Sequence, residues 1–141
     1  MRTLATYPYL NLYLHEGPVP VLELQWLSYV GSAGFRAAAT QALALTRTHH
    51  IKAWLGDDRL LGAVRPRDLE WAEQAILLPL DREIGLERFA LLESQDALNR
   101  RTISGMYTHI EPELRFAIRH FDDLQSARAW ASGSSVSTDQ P

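Results

Sequence analysis

Two adjacent aspartates followed by an arginine, Asp57, Asp58 and Arg59, are the side chains of this sequence best placed to do chemistry. They follow an apolar segment, residues 51–55, that is predicted to be a strand, and open α/β sheets usually bind ligands at the carboxyl ends of their strands. An aspartate there could accept a phosphoryl group if further carboxylates held Mg²⁺ beside it. The end of the first predicted strand, residues 14–17, offers only one carboxylate. We therefore expect Asp57 and Asp58 to cap the following turn, or with Arg59 to contact a partner protein.

A glycine-containing turn, Gly31-Ser32-Ala33-Gly34, lies between a predicted strand and a predicted helix, and Asp57 follows 23 residues after Gly34. This arrangement is half of a dinucleotide-binding fingerprint. The full fingerprint needs three glycines spaced G-x-G-x-x-G, one of which lets the backbone approach a pyrophosphate. The turn is therefore predicted to be an ordinary strand-to-helix connection, and no cofactor is expected.

The sequence offers no recognisable metal site or nucleophile. His49 and His50 are adjacent, so on a helix they would point about 100° apart and could not bind one metal together. The other three of the five histidines are isolated, there is no cysteine, and the G-x-S-x-G turn of serine hydrolases is absent. We expect no metal ligand and no catalytic residue.

The elements that must position these residues alternate along the chain. Apolar spacing of three and four residues predicts helices over residues 32–50, 66–79, 103–110 and 122–131. Shorter segments with alternating or continuous apolar residues predict strands over residues 10–14, 21–26, 51–55, 89–92 and 115–121. The first two strands form a hairpin because six residues are too few for a crossover. The fold class is α/β: a mixed five-stranded sheet with an antiparallel edge hairpin and about four helices.

Composition narrows the classes of function. A single domain over residues 1–132 fits the length of 141 residues, and the Ser- and Gly-rich residues 133–141 are predicted to be a disordered tail. With 14 Lys and Arg against 17 Asp and Glu, the chain lacks the basic excess that nucleic-acid binding requires. No apolar run is long enough to insert into a membrane. Without cysteine or a signal sequence, we expect a cytoplasmic protein.

One face of the predicted sheet, called the wet face below, is expected to be exposed to solvent, because arginines and other polar residues alternate with apolar ones along several strands. Simple alternation places Trp54 there, together with Arg119 and Phe121. Aromatic residues and arginine gathered in one patch have the composition of interface anchors, which predicts self-association as a homodimer. The alternative is that helices cover this face and Trp54 belongs to the core.

The element order and several short motifs resemble the STAS (SpoIIAA-like) group, in particular small bacterial single-domain members. The motifs are Phe35-Arg36, Trp54-Leu55-Gly56-Asp57, Asp68-Leu69-Glu70-Trp71, Phe121-Asp122 and Ala127-Arg128-Ala129-Trp130. The resemblance implies a SpoIIAA-like βα superhelix with its helices largely on one face of the sheet. It also implies a non-catalytic protein that binds a partner and is switched by phosphorylation of a serine after the third strand.

The sequence departs from that group at the switch, because residues 49–93 contain no Ser, Thr or Tyr. Either the switch is lost or Asp58 supplies a fixed negative charge in its place. The predicted function is a protein-interaction module that uses Asp57, Asp58 and Arg59 toward an unknown protein partner. The alternatives are a small-molecule or lipid-binding domain of the same fold and an enzyme built around the two aspartates.

The missing hydroxyl groups make a direct prediction about regulation. We expect no phosphorylation of the loop after the third predicted strand, because no side chain there can accept a phosphoryl group from a hydroxyl-directed kinase. Mass spectrometry of protein purified from its native source measures this. A phosphoaspartate at Asp57 or Asp58 would contradict the prediction.

Overall fold

Alternating apolar residues build the amino-terminal half of the sheet. In the computed structural model, which describes residues 1–133, strands β1 (Arg2–Tyr7), β2 (Leu10–His15) and β3 (Val21–Trp26) pair antiparallel. The leucines at alternate positions of β2 are all buried. The first three strands are therefore joined by two turns, and the leucines of β2 lie on the face of the sheet that is buried.

The carboxyl-terminal half alternates helices and strands, as the sequence predicts. In chain order its elements are α1 (Ser32–Thr48), β4 (Ala53–Asp57), α2 (Pro66–Ala72), β5 (Arg88–Leu92), α3 (Ala97–Ile110), β6 (Ala117–Phe121) and α4 (Leu124–Ala131). Strands β3 to β6 pair parallel, and neighbours in the sheet are also neighbours in sequence, β1-β2-β3-β4-β5-β6. The α/β class, the mixed sheet and the helices are confirmed, and the carboxyl ends of β3, β4 and β5 share one edge.

The sheet has six strands, so the predicted count of five was too low by one. The missing strand is β1, an edge strand whose apolar alternation is broken. Its pairing with β2 shifts register between Thr3 and Ala5, and its polar residues are exposed. Of the predicted tail, residues 133–141, only Gly133 lies within the described residues.

The second helical segment continues past Pro79, where the sequence predicts a bend or an end. Two π-helical stretches, Glu73–Leu77 and Leu80–Ile84, follow α2. Pro79 lies between them with φ −62° and ψ −38°, a helical conformation that its ring favours. The helical segment ends instead at Gly85, whose φ of 74° suits a residue without a side chain.

Helices cover the sheet on both faces, but unequally. Helices α1, α2 and α3 pack on one face and form the larger core with residues such as Leu22, Leu24 and Phe89. Helix α4 packs alone on the other face, over Val21, Leu55 and Leu92. The expectation that helices lie mainly on one side is therefore met, and α4 is the exception that covers the predicted wet face in part.

Trp54 is a core residue, so its predicted exposure was wrong. Register places Trp54 between Leu22 of β3 and Phe89 of β5, on the face covered by α1, α2 and α3. The side chain is 3% exposed, and its Nε1–H donates to Oγ1 of Thr46 at 2.8 Å. Because β4 is a central strand with helices on both faces, all five of its residues are buried and simple alternation cannot identify an exposed face.

A buried carboxylate connects α4 to the sheet. Glu23 of β3 is 0% exposed and accepts from Nε of Arg128 at 2.8 Å and from its Nη2 at 3.0 Å. His15 Nε2 lies 2.7 Å from the same carboxylate. Burial raises the pKa of Glu23, but the hydrogen bonds from His15 and Arg128 outweigh it and hold that pKa below its ordinary value. The ion pair fixes the helix over the sheet.

Replacing Arg128 with Ala is expected to lower the free energy of unfolding by about 3 kcal/mol, because Glu23 would remain buried with only His15 as partner. Urea denaturation measures the change. The matched control is Arg2→Ala, which removes an exposed ion pair to Glu16 at 3.9 Å and should cost no more than about 0.5 kcal/mol. Equal losses in the two variants would contradict the assignment.

Candidate functional site

One side chain, Asn99 of α3, joins the loops at the carboxyl edge of the sheet. Its Nδ2 donates to the carbonyl oxygens of Leu61 at 3.0 Å and Gly62 at 2.9 Å, and its Oδ1 accepts from the backbone N–H of Val64 at 3.3 Å. The Asp96 carboxylate caps the same helix by accepting from the Asn99 backbone N–H at 2.9 Å. The loop after β4 is therefore attached to the first turn of α3 by a satisfied, buried amide.

Further contacts hold neighbouring loops to the same segment. The backbone N–H of Gln95 donates to the Arg59 carbonyl oxygen at 3.0 Å, which joins the loops after β4 and β5. Gly62 lies against the loop after β3, and a Cβ at this glycine would fall 2.8 Å from Cα of Tyr29. Only a glycine allows that approach. We refer to the three loops, residues 27–31, 58–65 and 93–96, as the edge loops.

Asp57 and Arg59, two of the predicted partner-binding residues, bind each other. Arg59 donates from Nε to Oδ1 of Asp57 and from Nη2 to Oδ2, both at 2.9 Å. The Asp57 carboxylate is buried, and its hydrogen bonds raise the pKa of the Arg59 guanidinium. The pair closes the turn after β4, and of the two side chains only Arg59 is partly exposed.

Asp58 points to the other side of the sheet from Asp57 and is 7% exposed. Its carboxylate makes no hydrogen bond to any of residues 1–133. Burial raises the pKa of Asp58 to about 7, and the negative charges of Asp57 and Glu93 add to that effect. The sequence predicted three clustered site residues, and the structure sends the two carboxylates in opposite directions.

The Asp58 carboxyl lines an apolar cavity of about 80 Å³ between the sheet and helices α1, α2 and α3. Aromatic rings form much of its wall, among them Trp54, Phe89 and Tyr107. The Trp54 and Phe89 rings meet edge to face with centroids 5.6 Å apart, and Phe89 and Tyr107 do the same at 5.8 Å. Burial raises the pKa of the Tyr107 phenol well above its ordinary value, and the Asp58 charge adds to it.

Three large apolar side chains are exposed on or beside the edge loops. Tyr29 is 59% exposed, Leu60 57% and Leu98, in the first turn of α3, 73%. Within residues 1–133 the other strongly exposed large apolar residue is Met1. The edge of the sheet predicted from Asp57 and Asp58 thus exposes large apolar side chains, whereas these two carboxylates are buried.

The other two predicted self-association residues lie on the α4 face, opposite to Trp54. The Phe121 ring packs against Trp130 of α4 with centroids 5.6 Å apart. The Arg119 guanidinium lies 5.1 Å from the Phe121 ring centroid. Trp54, Arg119 and Phe121 therefore do not form the single exposed patch that was predicted.

The turn before α1, which the sequence offered as half of a dinucleotide-binding fingerprint, connects α1 to α2. In the turn before α1, Ser32 Oγ donates to Oδ2 of Asp68 at 2.6 Å, and Arg36 Nε donates to Oδ1 of the same carboxylate at 2.9 Å. Among residues 1–133, no group of three or more acidic or histidine side chains could hold a metal ion. None of the helices in that range is long and apolar enough to cross a membrane.

Sequence reasoning missed Asn99, Tyr107 and Leu98 as parts of this site. Tyr107 lies within the predicted helix over residues 103–110, but its distance in sequence from Asp58 hid their proximity. The Asp96-x-x-Asn99 spacing is typical of a helix N-cap, and it was the available signal for Asn99. Leu98 next to that cap could have been recognised as exposed because it lies outside the apolar spacing of α3.

Comparison with known proteins shows the fold. Neither a scan against protein-family models nor a search of curated proteins finds a match. Among solved structures, the chain is similar to an uncharacterized protein of the DUF3478 family with a SpoIIAA-like fold from Shewanella loihica PV-4. The alignment has a TM-score of 0.60 and 10% identity and covers 91% of this chain and 98% of that one. The fold is SpoIIAA-like, as the sequence motifs predicted.

The buried Asp58 makes stability depend on pH in a defined direction. Its folded pKa of about 7 exceeds the ordinary aspartate value of 3.8, so between those pH values the folded state binds more protons than the unfolded chain. This group's contribution to the free energy of unfolding therefore falls as pH rises. Asp58→Asn should be more stable than the wild type by on the order of 4 kcal/mol at about pH 8 and nearly equal to it at about pH 4. Urea denaturation at both pH values tests this, and a difference independent of pH would contradict it.

Proposed function

We propose that the protein is a non-catalytic interaction module whose partner binds at the edge loops. The observation that carries the proposal is the exposure of Tyr29, Leu60 and Leu98 at one end of the sheet. Monomeric soluble proteins seldom expose large apolar side chains together without a binding role. The loops that carry them are bound to one another, so a partner would meet a surface formed in advance.

The chemistry of the surface indicates the kind of partner. Four arginines near the exposed apolar side chains are themselves partly or fully exposed: Arg59, Arg65, Arg100 and Arg101. Arg59 is held in place by Asp57, and Arg100 donates to the Ser94 carbonyl oxygen at 2.9 Å. Fixed arginines beside apolar anchors favour a protein segment with apolar side chains flanked by carboxylates.

The burial of Asp58 bears on regulation. A carboxylate that imitated a phosphoserine would have to present its charge to the partner, but the Asp58 side chain is turned into the cavity. Because its pKa is about 7, this side chain is also uncharged in about half of the molecules near neutral pH. Loss of the switch is therefore the better of the two alternatives. We propose a partner that binds without a phosphorylation step on this loop.

The lipid-binding alternative is less well supported than a protein partner. Ligand cavities usually measure about 300 to 1,000 Å³. The apolar cavity here measures about 80 Å³, which excludes an acyl chain of ordinary length. A ligand inside this protein would have to be a molecule of only a few non-hydrogen atoms. An enzyme is also poorly supported, because Asp57 is paired with Arg59 and no nucleophile lies beside a base at the edge loops.

Affinity capture with matched variants tests the proposal. Leu60→Asp and Leu98→Asp each place one carboxylate in the apolar surface and should reduce recovery of the partner at least tenfold, as expected for a loss of about 1.4 kcal/mol or more. The control is Ala44→Asp, which adds the same charge to the exposed side of α1 and should retain the partner. Recovery of the same proteins with all three variants would contradict the proposal.

A further inference from the structure

A cavity in the larger core has the Asp58 carboxyl group in its otherwise largely apolar wall. Its wall is apolar and rich in aromatic rings, and it lies between β4, β5 and the three helices of the larger core. Protein interiors contain few voids larger than a water molecule. A cavity of about 80 Å³ at this depth is therefore a feature that a ligand could use.

Asp58 is directed into this space and lacks a partner. Its Oδ1 lies 3.6 Å from the position that a Cβ would occupy on Gly56, so the carboxyl group lies directly beside this glycine. Among residues 1–133 no group donates a hydrogen bond to this carboxylate, and the Tyr107 hydroxyl makes none either. An unpartnered carboxylate in an apolar cavity is costly for the fold.

We propose that the cavity binds a small primary ammonium ion, with its nitrogen donating to the Asp58 carboxylate and its hydrocarbon chain lying among Trp54, Phe89 and Tyr107. An ammonium group supplies the positive charge and the hydrogen-bond donors that the carboxylate lacks. Aromatic rings around it add cation–π attraction, which is strongest where water is excluded. This site is separate from the proposed interaction surface, whose side chains point to solvent.

The volume limits the ligand to a short chain. An apolar cavity of about 150 Å³ in another protein holds benzene, which has six non-hydrogen atoms. By that ratio, about 80 Å³ holds three or four, which corresponds to ethylammonium or propylammonium. Longer or branched amines would have to displace core side chains.

Two side chains lie between the cavity and a groove that is open to solvent. Leu69 of α2 and Met106 of α3 line the cavity, and both also line an open groove of about 300 Å³ between the two helices. The barrier thus consists of side chains rather than backbone. Methionine has three rotatable bonds and changes shape at low cost, so Met106 could move aside during entry.

The charges around Asp58 determine how binding should respond to pH. Asp57 of β4 and Glu93 after β5 disfavour its charge, and Tyr107 of α3 lies beside it. Arg100 of α3 and His120 of β6 line a small space behind the carboxyl group together with Glu93. Because an ammonium ion needs the carboxylate form, its affinity should fall about tenfold per pH unit below about pH 7.

Calorimetric titration of the intact chain with propylammonium chloride, at constant ionic strength and about pH 8, tests the proposal. We expect saturable one-to-one binding, with an affinity at least tenfold weaker for 1-propanol, which has the same size but no charge. Asp58→Asn should weaken propylammonium binding at least tenfold while the variant remains folded. The carboxyl ¹³C resonance of Asp58 should titrate at lower pH when propylammonium is present.

A filled cavity supplies an independent control. Ala39→Leu on α1 adds three carbon atoms to the wall and should abolish binding. If that variant does not fold, Gly56→Ala adds one methyl group, 3.3 Å from both Leu91 and Phe89, and should weaken binding. Absence of saturable binding would overturn the proposal. Equal affinity for propylammonium and propanol, or unchanged affinity in Asp58→Asn, would also overturn it.

Discussion

Strand β4 is buried on both of its faces, and this burial governs what the polar residues at its carboxyl end can do. Every residue of this strand is buried, with three helices over one face and α4 over the other. A polar group at its carboxyl end must therefore find a partner, lose its charge or leave the layer. Asp57 finds a partner in Arg59 on one side, whereas Asp58, on the other, has a raised pKa and a cavity. The site's chemistry follows from this difference.

The two faces of the sheet are stabilised by different interactions. The larger face is stabilised mainly by buried apolar surface, since leucines and aromatic rings from β2, β3, β4 and β5 pack against α1, α2 and α3. The smaller face has one short helix, α4, which buries Ala127, Trp130 and Ala131 against the sheet. The Glu23–Arg128 ion pair fixes the position of α4 on the sheet, because the buried carboxylate accepts two hydrogen bonds from the guanidinium of one residue of that helix.

The edge loops separate the exposed surface that we propose binds a protein partner from the cavity that we propose binds an ammonium ion. Asn99 fixes the loop after β4 by hydrogen bonds to its backbone carbonyl oxygens. The side chains of that loop take no part in these bonds and can point either to solvent or into the core. Leu60 points to solvent and Leu61 into the core beside the cavity. Two neighbouring residues thus belong to two surfaces, and a change at the exposed one need not disturb the other.

The amino-acid sequence was enough to predict the α/β class, the alternation of strands and helices along the chain and, through the resemblance of short motifs, the SpoIIAA-like fold. The class and the alternation follow from apolar spacing, glycine and proline positions and the connection lengths, which are local properties. It missed β1, because an edge strand needs no continuous apolar face, and it misplaced Trp54, because alternation carries no information in a strand buried on both sides. Three features could be read only from the folded chain: Asp57 and Asp58 face opposite sides of the sheet, Tyr107 lies beside Asp58, and Asn99 joins the loops. Those contacts depend on how the helices pack across the sheet. Contacts between residues far apart in sequence produce no local sequence pattern from which they could be predicted.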